Sequence, residues 1–258
     1  MNSNIIEIGF LEVKWYSFLL LLAFSIGFII VMKQRDKVNL TKTEMLDMLF
    51  YLIIFSIVGA RVYYIIFNLD YYMSNPIDMI KIWEGGLAIH GGILFGIIYL
   101  FVYCRRKKIK LLNMTDIIVP ALVLGQAIGR WGNFFNQEAF GPITTYQQLK
   151  SLHIPNFVIN GMYINHHYYH PTFFYESLFC LFIFIVLITL IKLKLNKRGI
   201  CTSIYLILYG IERFFMEGLR QDSLMFFNFE VARIVSIIMI ITGICILFFN
   251  KKKEYYDK

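Results

Sequence analysis

Charge is what this chain has least of. Only 16% of its 258 residues are Asp, Glu, Lys or Arg, while 58% are hydrophobic and 17% aromatic. With a mean hydropathy of +0.62, that balance excludes a single water-soluble core. No low-complexity tract and no clear internal repeat breaks the pattern, which excludes a solenoid or a linker-rich chain. The segment before Trp15 is mixed and acidic and no small-residue cleavage site follows the first apolar run, so it is not read as a cleavable signal peptide. Apolar runs fall instead at about 16–32, 45–67, 87–104, 116–135, 173–191, 200–216 and 231–250, each near the roughly 20 residues a spanning helix needs. The expected fold is an all-α integral membrane protein of about seven transmembrane helices, one catalytic domain over residues 1–258.

Acidic residues are outnumbered, 17 against 25 Lys and Arg, and the basic ones cluster. Lys33, Arg35, Lys37 and Lys42 follow the first run. Arg105, Arg106, Lys107, Lys108 and Lys110 follow the third, Lys192, Lys194, Lys197 and Arg198 the fifth, and Lys251, Lys252, Lys253 and Lys258 end the chain. Short basic loops stay cytoplasmic, so the alternation predicts an N-terminus outside and a C-terminus inside. The net charge of +8 is therefore a topology signal, and no basic face with interleaved aromatics remains for a nucleic acid. Cysteine is also scarce. Cys104, Cys201 and Cys245 fall near the expected cytoplasmic side and Cys180 within the fifth run. That leaves no external disulfide and no external nucleophilic thiol, so a thiol used outside has to come from a partner.

What remains is polar and concentrated. With this topology Arg61, Arg130 and Arg213 sit toward the outer ends of the second, fourth and sixth helices. His90 of "AIHGG" opens the third, and Tyr16 and Arg233 lie at the same level. Ionisable groups inside a membrane normally face a partner or a water-filled cavity. At helical spacing Tyr209, Arg213, Glu217 and Arg220 share one arc, if the sixth helix reaches Arg220. Gln126, Arg130, Asn133 and Gln137 form another, beside a Gly125, Gly129 and Gly132 face where a second helix can approach. Guanidinium forks suit phosphate oxygens, and amide side chains complete such a cradle; an anionic, lipid-borne phosphate fits. Only one connection is long, residues 136–171, expected outside between the fourth and fifth helices and either functional or a small capping element.

Plainer readings stand beside these. Arg213 and Glu217 at i, i+4 read first as a structural ion pair. Arg61 is either a head-group snorkel or a ligand, and Arg233 an interfacial anchor. His153, His166 and His167 read as solvated loop residues, and Trp15 and Tyr16 as an aromatic belt. His90 stands between apolar Ile89 and two glycines that let backbone or ligand come close, and its imidazole can exchange a proton near neutral pH.

"GRWGNFFNQEAFG" at 129–141 resembles the signature of the bacterial prolipoprotein diacylglyceryl transferases, with every fixed position met. "KWYSF" at 14–18, "GARVYYIIF" at 59–67, "WEGGLAIHGG" at 83–92, "HPTFFYES" at 170–177 and "YGIERFFMEGLRQD" at 209–222 follow in the family's order across nearly the whole chain. The departures are Ser17 where Gly is common and Phe174 where Leu is usual. The resemblance implies transfer of the diacylglyceryl group of phosphatidylglycerol to the lipobox cysteine of a preprolipoprotein. The products are a thioether and glycerol 1-phosphate, and no metal or cofactor is used. It also implies a bacterial cytoplasmic (inner) membrane location with the site toward the outer leaflet. Residue by residue, it implies phosphate binding by Arg130 and Arg213, with Asn133, Glu138 and Gly141 shaping the head-group site. His90 is implied as a general base, and Tyr16, Tyr209, Glu217 and Arg220 lie in or near the site, where Glu217 orients Arg213. A transporter of organic anions would want intramembrane arginines too, but between inverted repeats with broken helices. A phospholipid hydrolase is the nearest rival among enzymes.

Overall fold

The computed structural model describes residues 4–8, 11–194, 197–219, 225–226 and 229–249. Its elements run β1 (Asn4–Ile8), β2 (Leu11–Lys14), α1 (Trp15–Lys33), α2 (Lys42–Ile66), α3 (Leu69–Ser74), α4 (Ile89–Lys107) and α5 (Leu111–Asn136). Then come β3 (Ile143–Thr144), α6 (Tyr146–Ser151), α7 (Asn156–Gly161), β4 (Tyr163–Ile164), β5 (His167–Tyr169), α8 (Thr172–Lys192), α9 (Ile200–Glu217), β6 (Met225–Phe226), β7 (Phe229–Glu230) and α10 (Val231–Phe249).

The protein is an all-α, multi-pass membrane protein. Six helices, α1, α2, α4, α5, α8 and α10, are long and apolar enough to cross a bilayer. They leave Leu21, Phe50, Ile93, Ile97, Ile185 and Ile238 exposed, a surface that is stable against acyl chains and not against water. The sixth apolar run folds as α9, an 18-residue helix. It stands apart from the six because Glu212, Arg213 and Glu217 charge its last two turns. α2 and α5 begin several residues before their apolar runs, and at α2 the reason is local. At α2 the Thr41 hydroxyl accepts from the Glu44 amide while the Glu44 carboxylate accepts from the Thr41 amide, a reciprocal cap that satisfies two orphan donors. α5 extends over Pro120, whose missing N–H neighbouring groups in a bundle can offset.

The described residues fall into two compact units, one up to Val31 and from Thr115 onward, the other Met32–Met114. In the first, α5, α8 and α9 close around Val119, Val123, Ala127, Cys180, Ile183, Leu187, Cys201 and Tyr205. Asp116 of α5, 1% exposed, fixes where α9 starts. Its carboxylate accepts from the Gly199 and Thr202 amides and the Thr202 hydroxyl. A buried carboxylate is tolerable there because it meets free N–H groups and the positive end of the helix dipole.

The long segment after α5 is a folded cap. β3, β5 and β4 form an antiparallel sheet in that order, pairing Ile143 with Tyr169 and Tyr163 with Tyr168. With α6 and α7 it buries Leu149, Ile154, Val158, Ile159 and Met162 against Phe134 of α5 and Phe173 of α8. In the second unit α2 and α4 meet backbone to backbone: a Cβ on Gly91 would lie 2.3 Å from the Gly59 carbonyl oxygen and 2.3 Å from Tyr63 Cβ.

Candidate functional site

In the larger unit, three helices bring two arginines and three glutamates together. Glu176 of α8 bridges the pair: Oε2 is 2.8 Å from Arg130 Nε on α5 and Oε1 is 3.2 Å from Arg213 Nη1 on α9. Glu217 Oε2 stands 2.7 Å from Arg213 Nη2. The side chains of Glu176 and Glu217 are 4% and 3% exposed, those of Arg130 and Arg213 22% and 18%. The carboxylates are therefore the more deeply buried partners and the guanidinium groups the more exposed. Among the described residues, both Nη groups of Arg130 and the Nε of Arg213 have no protein partner. These outward donors suit an oxyanion. Glu212, 5% exposed, lies in the same electrostatic field as Arg130, Arg213 and Glu176. Neither of its oxygens meets a hydrogen-bond partner among the described residues.

The surrounding residues tie these helices to one another and to the cap. Asn133 and Asn136 both donate to Glu138 Oε1, at 3.3 and 3.2 Å, where α5 turns into the cap. Tyr209 stacks on Tyr205 with ring centroids 5.3 Å apart, and Gln126 bonds the Tyr205 hydroxyl at 3.0 Å. Gln126 thus ties α5 to α9, and Gln137 ties α5 to the cap through the Gly161 carbonyl at 3.3 Å. Gly141 donates to the His170 carbonyl at 2.9 Å, and a Cβ on it would press on His170 and Thr172 at 3.0 Å; it closes the cap onto α8.

The glycine face divides likewise. A Cβ on Gly132 would sit 2.5 Å from the ring of Tyr16, whereas one on Gly125 or Gly129 would meet nothing within 4 Å. Only Gly132 is a packing position; Gly125 and Gly129 leave room on the turns that precede Arg130. Arg220 lies outside the described residues.

His90 belongs to the smaller unit. It opens α4 as an exposed residue, its ring centroid 6.2 Å from that of Tyr63. The glycines after it, Gly91 and Gly92, serve the close approach of α2, so it is backbone and not ligand that they admit. Arg61 takes neither role expected of it. It is buried, and its five N–H groups go to five carbonyls: Nε to Met79, Nη1 to Gly85 and Gly86, Nη2 to Asp78 and Lys81. No donor is left for a ligand; Arg61 clips the connection between α3 and α4. Within that connection Lys81, and then the Tyr71 hydroxyl, hold the Asp78 carboxyl below its ordinary range. Arg61→Met is expected to speed amide hydrogen exchange over residues 78–86 by about tenfold or more, because every charge-assisted bond that the guanidinium makes to this connection is lost. Unchanged exchange there would disprove the clip. Arg233 pairs with Glu230 and lies over Phe214, 5.5 Å from the ring centre. All four cysteines are free, and only Cys245 is exposed.

Two acidic residues were not legible as site residues beforehand. Glu176 lay within "HPTFFYES", and Glu212 sits one position off the Arg213 stripe. Only the meeting of α5, α8 and α9 reveals them.

Known proteins resemble this chain along nearly its whole length. The family model described as "Prolipoprotein diacylglyceryl transferase" matches residues 3–249. A protein of Staphylococcus haemolyticus named phosphatidylglycerol–prolipoprotein diacylglyceryl transferase is 45% identical over 254 residues, 98% of this chain and 89% of its own length. Proteins of the same name from Listeria monocytogenes and Staphylococcus aureus are each 42% identical over 96% of this chain, which covers 89% and 88% of their lengths. Matched along nearly its whole length by the family and by these relatives, the chain belongs to the prolipoprotein diacylglyceryl transferase family.

Proposed function

We propose that this chain transfers the diacylglyceryl group of phosphatidylglycerol to the lipobox cysteine thiol of a preprolipoprotein, the first step of bacterial lipoprotein maturation. The observation that carries this reading is the pair of arginines on α5 and α9 with outward donors left over, backed by buried carboxylates. In the reaction the partner's sulfur attacks the glycerol carbon that bears the phosphate. A C–S bond forms as the C–O bond breaks, and the electron pair leaves on the phosphate oxygen of glycerol 1-phosphate. Arg130 and Arg213 bind the phosphate and hold its growing charge in place, a preorganised donor set of the kind that stabilises leaving oxyanions. The free space at Gly125 and Gly129 admits the lipid head, and Asn133, Glu138 and Gly141 shape its rim. Tyr16, Tyr209, Glu217 and Arg220 are assigned to the same site. The thiol proton goes to His90 as general base, or to the departing phosphate.

The proposal extends to topology. α9 spans as well, which makes seven spans in all; the N-terminus is outside, the site opens toward the outer leaflet of the bacterial cytoplasmic membrane, and the cap at 136–171 covers it. Both substrates are presented there, one from the bilayer and one from a secreted, membrane-held peptide, with no nucleic acid involved.

The test uses purified protein in liposomes with phosphatidylglycerol and a lipobox peptide, following peptide mass and released glycerol phosphate together. A diacylglyceryl mass gain on cysteine with equal glycerol phosphate is expected. Glycerol phosphate without modified peptide would replace the transferase with a hydrolase.

A further inference from the structure

A phosphate site made of bare arginines would bind its product best of all, because the released monoester carries more charge than the phosphodiester that entered. This site is not bare. Glu176 puts one oxygen on each guanidinium, 2.8 Å from Arg130 Nε and 3.2 Å from Arg213 Nη1, and is itself 4% exposed. Glu217 adds a second carboxylate, 2.7 Å from Arg213 Nη2. The partners of Glu176 are on two different helices, so it cannot serve one without setting the other. Resting on the phosphate reading above, we propose that Glu176 is the positioning residue that aligns the Arg130 and Arg213 forks and tempers their charge. The phosphodiester is then held moderately and the monoester let go.

The physical basis is that opposite charges a few ångströms apart in a poorly hydrated site interact far more strongly than in water. A buried carboxylate on each arginine therefore weakens the attraction both offer to a third, incoming anion. It also fixes their geometry. With Nε of Arg130 and Nη1 and Nη2 of Arg213 committed to carboxylates, the remaining donors are set in place before an anion arrives and need no search at the moment of binding. Stronger ground-state binding lowers KM without raising kcat, so the charge and the alignment are separable by substitution. Glu176→Gln keeps a side chain of the same length and removes the charge. Glu176→Asp keeps the charge but, one methylene shorter, cannot reach both arginines.

The experiment is steady-state transfer by the full chain in liposomes, varying phosphatidylglycerol and adding glycerol phosphate as inhibitor. Glu176→Gln is expected to lower KM for phosphatidylglycerol by about three- to tenfold. It should strengthen inhibition by glycerol phosphate at least as much, without raising kcat. Glu176→Asp is expected to lower kcat with no fall in KM. A role confined to holding the fold would move KM up or not at all in both. Unchanged or raised KM in Glu176→Gln, with unchanged inhibition, overturns the proposal. Should Glu176→Gln fail to fold, Glu217→Gln takes its place with the same expected signs, and an unaltered KM there overturns the charge argument. If the wild-type protein transfers nothing, the phosphate reading itself fails. Arginine-dependent transfer with the wrong KM signs sinks only the role of Glu176.

Discussion

Arg213→Ala abolishes diacylglyceryl transfer, by at least about a hundredfold, while the protein still inserts in the membrane. The size of the effect comes from where the charge develops: losing one preorganised donor to a growing oxyanion costs other enzymes about a hundred- to a thousandfold in rate. Here the loss is compounded. Glu176 and Glu217 both use Arg213 as counter-ion, so its removal leaves two buried carboxylates facing the incoming lipid phosphate. That surplus repels the substrate as well as failing to hold it. Arg213→Lys separates the contributions, because it keeps the charge and loses the fork that spans Glu176 and Glu217. It should retain folding and lose most of the rate. The measurement is peptide mass gain with phosphatidylglycerol, beside thermal unfolding of each variant. Transfer within about threefold of wild type in Arg213→Ala would end the phosphate assignment.

Gly91→Val is expected to destroy the pairing of α2 and α4, with a loss of about 3 kcal/mol or more and little folded protein recovered. Overpacking usually costs about 1–3 kcal/mol because side chains can shift. At Gly91 the obstacle is in part the Gly59 carbonyl, 2.3 Å from the new Cβ, so the helices themselves must separate. The same enlargement on α5 should do nothing of the kind. Gly125→Ala and Gly129→Ala would meet nothing within 4 Å and should fold normally. Any change in these two appears in lipid KM. Folded yield and unfolding temperature of the three variants decide the matter; a well-folded Gly91→Val would show that α2 and α4 do not depend on this approach.

These contrasts mark what a sequence can and cannot disclose. The seven apolar runs became seven helices because a stretch of about 20 apolar residues has few other stable forms in a bilayer. Arg130, Arg213 and Glu217 were legible because intramembrane charge is costly and their helical spacing is readable along one chain. Glu176 was not, since its partners are on other helices and its own neighbours are apolar. Glu212 was missed because a periodic reading follows one face, and this residue lies beside it. Asp116, 1% exposed and spent on capping α9, carries no sign in its own neighbourhood of the helix it holds, because its partners Gly199 and Thr202 are far along the chain. Gly125, Gly129 and Gly132 share a spacing on paper, and only the tertiary neighbour, Tyr16, distinguishes the last from the others.

The clamp at Asp116 has a bearing on how this protein can change over generations. α9 is held at its start by Asp116 through Gly199 and Thr202, and near its end by Glu176 through Arg213. The two fastenings stand roughly three helical turns apart, about 16 Å. Between them the helix acts as a ruler of fixed length. One inserted or deleted residue would swing Arg213, together with Glu217, by about 100° and shift it about 1.5 Å, away from Glu176 and from Arg130. Side chains on the lipid face of α9 are free to drift by substitution, whereas its length between the fastenings is not.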